Sequence, residues 1–271
     1  GLTPADLARQ RAEAMFTPKA SCAPIADAVV AGDEEELSHL LADLTASPNQ
    51  RHAGSTFGDP CILLAAENGR VEEMQLLLQR RADVAVTGVG RQTALHRAAL
   101  HGHEAALRML IKHGAQLDAC DGVGETALHN SARHGSAECS RWLLSEGAAA
   151  SYPNRKGETP LHLASFSGHQ TALSVLISRN SDLNAIDWIL GETALHYAAK
   201  AGHYSCVRLL LKASAAADIL NYEQTPPMRC RTALDYAEAR NDVDMITLIA
   251  DPSSIPTAVA VPAADATLLS S

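Results

Sequence analysis

Aromatic residues are scarce in this sequence, and the short motifs that usually mark catalytic sites are missing. Phe, Trp and Tyr together make up 4% of its 271 residues, although hydrophobic residues as a whole make up 46%. The chain has no glycine-rich phosphate loop followed by Lys-Ser or Lys-Thr, no GxSxG turn and no HExxH pair. An apolar content built from Ala and Leu favours closely packed helices over a β-sandwich. Because no residue stands out as catalytic, we expect a non-enzymatic protein.

Charge and cysteine usage argue against further classes. The formal net charge is −9, which disfavours a general binder of nucleic acid or of anionic membranes. The six cysteines are scattered without a CxxC pair, as is typical of free thiols in a reducing compartment. We find no secretory signal and no apolar run long enough to span a bilayer, so we expect no membrane insertion. These features predict an intracellular, cytoplasmic protein, with the nucleus as an alternative location.

One short phrase recurs along the chain at a nearly constant spacing. Each copy reads Thr, then Ala or Pro, then Leu and His, and the copies follow each other after 33, 33 and 34 residues. The threonines are Thr93, Thr126, Thr159 and Thr193. A glycine follows each threonine after nine residues, at Gly102, Gly135, Gly168 and Gly202. Internal repetition with this period indicates a repeat architecture.

The copy that begins at Thr159 shows why the phrase predicts a helix start. A threonine hydroxyl can accept a hydrogen bond from a free backbone N–H at the N-cap. Pro160 is tolerated at the first helical position, where its missing N–H would have no acceptor within the helix. Gly168 can take the left-handed conformation that ends a helix, and a second apolar run with Leu173 and Leu176 follows it. Each copy therefore predicts a turn, a short helix, a sharp break and a longer helix.

This period and phrase, with the helix-ending glycine and the leucine-rich second helix, resemble the ankyrin repeat family. The resemblance implies an all-α solenoid of about seven helix–turn–helix repeats, connected by β-turn or hairpin fingers. It divides the chain into an N-terminal helix at 1–20, a repeat domain at 21–250 and a flexible tail at 251–271. We expect the repeats near 21–46 (a degenerate cap), 58–86, 88–120, 121–153, 154–186, 187–220 and 230–250 (a C-terminal cap).

Twelve histidines raise the question of a metal site. Four of them occupy the last place of the phrase, where the resemblance implies bonds between neighbouring repeats: His96, His129, His162 and His196. A closed zinc site needs about four converging nitrogen or sulfur ligands, and the spacing supplies no such set. We therefore expect neither a metal nor a cofactor.

The resemblance also implies where a partner protein binds, namely in a groove formed by the fingers and the last turn of each first helix. The residues just before each helix-ending glycine would face this groove. We select Leu100, Phe166, Arg133, His134 and Lys200 among them. Exposed apolar side chains that cluster together mark interaction sites, which directs attention to the first two.

The finger before the sixth repeat is one residue longer than the fingers that precede it. It holds Trp188-Ile189-Leu190 between an aspartate and a glycine, where the finger before it has only Arg155-Lys156. Trp is enriched at binding hot spots, so we predict that these five residues contact the partner. The alternative is that Trp188 folds back over the neighbouring finger, because Trp also buries well within a protein.

Two further features carry weaker expectations. The insertion at 222–231 either extends the binding edge or is a solvated loop. Asn184 occupies the finger position that is hydroxylated in some ankyrin proteins, and the resemblance implies the same modification here.

The function predicted from these features is that of a scaffold or adaptor that binds another protein and catalyses no reaction. The alternative is that the chain is the targeting or substrate-recruiting region of a larger regulatory protein or enzyme, such as an acyltransferase, a kinase or a ubiquitin-ligase adaptor. The sequence does not identify the partner.

Overall fold

A computed structural model describes residues 24–42, 48–49, 59–222 and 230–254 of the chain. The helix expected at 1–20 lies outside the described residues, as do most of the linker at 47–59, residues 223–229 of the insertion and the tail beyond residue 254. The described residues contain fourteen α-helices in seven consecutive pairs. They contain no strand, and their bridges are isolated, as between Thr87 and Thr93. The all-α repeat architecture is confirmed.

Each pair consists of a first helix and a second helix. The pairs are α1 Pro24–Ala31 with α2 Glu34–Ala42, α3 Cys61–Glu67 with α4 Val71–Gln79, α5 Ala94–His101 with α6 Glu104–Lys112, α7 Ala127–His134 with α8 Ala137–Ser145, α9 Pro160–Ser167 with α10 Gln170–Ser178, α11 Ala194–Ala201 with α12 Tyr204–Lys212, and α13 Ala233–Ala239 with α14 Val243–Ala250.

The repeated phrase and its glycine set the bounds of α5, α7, α9 and α11. In each case the threonine is the N-cap, and it forms a reciprocal capping box with the histidine three residues later. The four helices end at glycines with φ angles of 73°, 76°, 76° and 82°. A side chain in this left-handed region would crowd the following carbonyl, which is why glycine occupies the position.

The pairs stack on their neighbours along the chain. The first helix of each pair packs against the first helix of the next, and second helices pack against second helices in the same way. The leucine of each phrase is fully buried between them, at Leu95, Leu128, Leu161 and Leu195. Small alanines beside these leucines allow the helices to approach closely. The core is therefore continuous along the stack, as a repeat architecture requires.

The last pair keeps the capping arrangement with different residues. Asp235 stands in place of the histidine, and the N–H of Thr232 donates to its carboxylate at 2.6 Å. This hydrogen bond holds the pKa of Asp235 below its ordinary value. Asn241 stands in place of the glycine with a φ of 56°, a conformation that asparagine tolerates better than most residues.

The turns before the first helices, which we call the fingers, are joined to one another by backbone hydrogen bonds. The N–H groups of Gly122, Arg155, Trp188 and Tyr222 donate to the carbonyl groups of Gly90, Val123, Lys156 and Leu190, respectively. Five successive fingers therefore form one connected ladder, which restrains the tips relative to each other.

The longest finger accommodates its additional residue without breaking this ladder. In the two preceding links the acceptor is the second residue after the opening Asp or Asn, whereas here it is the third, Leu190. Ile189 is thus the residue that is displaced outward, and it is exposed. The carboxylate of Asp187 accepts from the N–H groups of Ile189 and Leu190, each at 2.7 Å, and so holds the longer turn.

Candidate functional site

The four repeated histidines join neighbouring repeats beneath the fingers. Their Nε2 atoms donate to backbone carbonyls of the next finger, from His96 to Glu125, His129 to Glu158, His162 to Glu192 and His196 to Arg231, at 2.9, 3.1, 3.1 and 3.1 Å. Their Nδ1 atoms accept from the backbone N–H of the capping threonine. Both ring nitrogens are therefore engaged in holding the stack together.

Burial keeps these histidines neutral. Loss of hydration disfavours the imidazolium and lowers the pKa of all four, in the case of His129 to about 4. Among the residues that the structure describes, no group of three or more His, Cys, Asp or Glu side chains is arranged to hold a metal ion. The histidine row is part of the scaffold, and the candidate site lies beside it.

A cavity of about 640 Å³ lies between the fingers and the first helices α5 and α7. The fingers contribute Arg155 and Lys156 to its lining, and the helices contribute Arg97 and Arg133. Three of these four cations were selected from the sequence as partner-binding residues, and the fold brings them to one place. We call this space, with the exposed side chains along the first helices beyond it, the groove.

The carboxylates that line the cavity are bound by neighbouring groups. Asp121 accepts from the N–H groups of Val123 and Glu125, both at 2.9 Å. Glu125 is paired with Arg133, and burial raises its carboxyl pKa above the ordinary value. Glu158 accepts from the side-chain amide of Asn154 at 2.8 Å and from a tyrosine hydroxyl at 3.0 Å. The three carboxylates at the floor of the groove thus already accept hydrogen bonds from the protein itself.

An aromatic region adjoins the cavity along the first helices. Phe166, on α9, is 55% exposed. Its ring meets that of Tyr197, on α11, edge to face with centroids 6.1 Å apart. The hydroxyl of Tyr197 is the one that donates to Glu158, and burial raises its pKa. Phe166 is therefore held on one side by its neighbour and open to solvent on the other.

The sequence left open whether Trp188 is exposed to a partner or folds back over the neighbouring finger, and the structure shows both features. Its ring lies over the neighbouring finger, since a Cβ atom placed on Gly157 would be 2.6 Å from the indole Cγ. The residue nevertheless remains 65% exposed. Ile189 beside it is exposed and Leu190 is half-buried. The contact with Gly157 holds the indole in place and leaves most of its surface available.

The remaining selected residues differ in accessibility. His134 is exposed, whereas Leu100 is half-buried and presents less apolar surface than its position suggested. Lys200 is paired with Glu192 at 3.1 Å and lies 5.3 Å from the ring centroid of Tyr236. A role of these residues in binding stays a prediction.

The sequence resembles one described family throughout the central repeats. A family model for ankyrin repeats in many copies matches residues 62–111, 95–144 and 161–211. The chain is an ankyrin repeat protein. Ankyrin repeats are generally protein–protein interaction modules. A comparison with curated protein sequences finds no match.

Two further features of this ankyrin repeat protein were singled out from its sequence, namely Asn184 and the insertion at 222–231. Asn184 is exposed, and its side-chain oxygen accepts from the N–H of Ala216 in the next repeat at 2.9 Å. Its hydroxylation stays a prediction. Tyr222, at the start of the insertion, is 54% exposed and lies over Gly191 as Trp188 lies over Gly157.

None of the helices in the described residues has the length and apolar character needed to cross a membrane.

Sequence reasoning missed two residues of the groove, Arg97 and Tyr197. Each lies four residues after a capping threonine, and therefore one helical turn before the positions that were selected. The position four residues after each capping threonine was therefore the signal that could have identified them. The same position in the last repeat is Tyr236, whose hydroxyl donates a hydrogen bond to Glu192.

Proposed function

We propose that this ankyrin repeat protein is a non-enzymatic scaffold that binds another protein through the groove and the finger tips. The observation that carries the proposal is the exposure of Phe166 and Trp188 on side chains held in place by their neighbours. Large exposed aromatic residues contribute strongly when a partner covers them. An intracellular location is part of this proposal.

The order of this surface supports the proposal. The fingers are linked by the backbone ladder, and the first helices are fixed by the buried histidine row. Little conformational freedom would be lost on association, so more of the contact energy would remain as affinity.

A role in binding rather than catalysis is supported by the state of the reactive side chains. The repeated histidines use both ring nitrogens within the scaffold. Burial raises the thiol pKa of Cys61 and Cys139 to about 12 and that of Cys206 to about 11, so these groups are protonated near neutral pH.

The test compares two double variants in affinity capture followed by mass spectrometry. Phe166→Ala with Trp188→Ala removes the exposed aromatics of the groove and finger. Tyr204→Ala with Val243→Ala removes exposed apolar side chains from the starts of the second helices α12 and α14. Loss of a hot-spot residue costs about 2 kcal/mol of binding or more. We therefore expect the groove variant to lose partners that the control retains.

Thermal melts separate binding from folding in this test. We expect both double variants to melt within a few degrees of the parent chain, because the removed side chains are largely exposed. Retention of the same partners by the groove variant would contradict the proposal. A strongly lowered melting temperature with partners retained would show instead that the aromatics serve the fold.

A further inference from the structure

The charged side chains of the groove are arranged in two layers. In the pair of Arg133 with Glu125, the arginine side chain is 40% exposed and the glutamate side chain 9%. In the pair of Lys200 with Glu192, the lysine side chain is 43% exposed and the glutamate side chain 2%. The acidic member of each pair is thus buried at the floor, and the basic member faces the solvent.

Two more cations extend this basic layer onto the finger. Arg155 and Lys156 are exposed, and both line the cavity. Within the described residues neither side chain takes part in an ion pair. The Arg155 side chain lies against Gly124 of the preceding finger, which directs it along the ladder.

Two of the carboxylates of the cavity, Asp121 and Glu125, are buried beneath this layer. Asp121, Glu125 and Glu158 are each occupied by donors of the protein itself. A ligand that enters from solvent therefore meets cationic groups first, although the chain as a whole carries a net charge of −9. Complementary charge determines which partners associate and how fast they do so.

The basic layer is continuous with the exposed aromatics. The backbone carbonyl of Lys156 accepts from the backbone N–H of Trp188 at 2.7 Å, so the last cationic residue of one finger adjoins the tryptophan of the next. On the helix side, Phe166 occupies on α9 the position that Arg133 occupies on α7. These cations therefore lie in the fourth repeat and on the finger of the fifth, and the aromatics lie on the first helix of the fifth repeat and the finger of the sixth.

We infer that the groove binds a linear acidic segment of a partner protein, with carboxylates against Arg133, Arg155 and Lys156 and an apolar side chain against Phe166 and Trp188. This inference rests on the proposed function, since it names the chemistry of the partner that the scaffold takes.

The test is a selection from a random peptide library displayed on phage, with the full chain as bait. We expect the selected peptides to be enriched in Asp and Glu next to a large apolar residue. Synthetic fluorescein-labelled copies should bind more weakly as salt is raised, because the contacts of exposed charges are screened. Their affinity should fall by about tenfold or more for Arg155→Glu with Lys156→Glu, since attraction becomes repulsion.

A matched control changes the same number of charges elsewhere. Lys112→Glu with Arg179→Glu alters exposed cations at the ends of the second helices α6 and α10, outside the cavity lining. We expect this control to bind the peptides like the parent chain. Arg155→Gln with Lys156→Gln removes the two charges without reversing them, so it should also weaken binding. Thermal melts verify that all variants fold.

The other outcomes distinguish a failure of this inference from a failure of the proposed function. Selected peptides without acidic enrichment that still require Phe166 and Trp188 would overturn the inference and leave the proposed function standing. Peptides that depend on no groove residue would contradict both. A labelled single-stranded oligonucleotide that bound as tightly as the peptides, through the same cations, would replace the acidic protein segment by nucleic acid. An equal loss of peptide affinity in the control variant would show that binding depends on net charge alone, and it would overturn the inference.

Discussion

Acid should destabilise the repeat stack through its buried histidines, and His129 allows the effect to be worked out. Burial lowers its pKa from 6.5 to about 4 in the folded chain. The unfolded chain therefore binds this proton more tightly, so stability is intact above the ordinary pKa and is lost as the pH falls from 6.5 toward 4. At 1.36 kcal/mol per pKa unit, the full loss from His129 is about 3 kcal/mol.

Other groups titrate in the same range, so the comparison must isolate one residue. The pKa values of His96, His162 and His196 are lowered by burial as well and add to the loss. Glu125 acts in the opposite direction, because burial raises its pKa and the folded chain holds that proton more tightly. A variant that differs from the parent only at residue 129 removes a single contribution from this sum.

The assay is urea unfolding of the parent chain and of His129→Gln at pH 7.5 and at pH 5. Glutamine suits the third position of a capping box, so the variant keeps a partner for Thr126. We expect the parent to lose about 2 kcal/mol more than the variant between these pH values, because most of the interval from 6.5 to 4 is then traversed. His113→Gln, which removes an exposed histidine, should show the acid loss of the parent. Equal acid losses in His129→Gln and the parent would refute the reasoning.

Two further predictions concern buried contacts. Ser165→Ala should stabilise the chain by about 1 kcal/mol in urea unfolding, because its hydroxyl is buried without a hydrogen-bond partner; a loss of stability would show that the hydroxyl is satisfied. Gly157→Ala and Gly114→Ala both place a side chain at a φ above 80°, but only the first meets another group, at 2.6 Å from Trp188. Gly157→Ala should therefore cost more than the roughly 1–2 kcal/mol expected for Gly114→Ala and should shift the Trp fluorescence. Equal costs and an unchanged spectrum would contradict the contact.

The helix bounds could be predicted from the sequence because they depend on local chemistry. Thr159 caps the helix that follows it, and Gly168 ends that helix in the left-handed conformation. Both effects involve residues a few positions apart, and the period of the phrase places them in every repeat. The same reasoning reached the C-terminal pair, where Asp235 and Asn241 replace the usual residues with groups that can perform the same tasks.

The candidate site could be predicted only in outline. Arg155 and Lys156 were found because the finger position is visible in the repeat, but the layering of Arg133 over Glu125 depends on how a helix folds back on its own finger. The contact of Trp188 with Gly157 joins residues of different repeats and has no local signal. The finger ladder consists of backbone hydrogen bonds, and since every residue carries these groups, no residue type in the sequence marks it. These contacts depend on the register between neighbouring repeats, which the spacing of the repeated phrase alone does not define.

The most direct test of the account is photo-crosslinking of the assembled complex from two single positions. Benzoylphenylalanine is placed at Phe166 in one chain and, in another, at Arg141, an exposed residue of the second helix α8. The proposed binding face predicts that the captured partner is crosslinked from position 166 and not from position 141. Crosslinking from position 141 alone would place the partner on the opposite side of the stack and contradict the account.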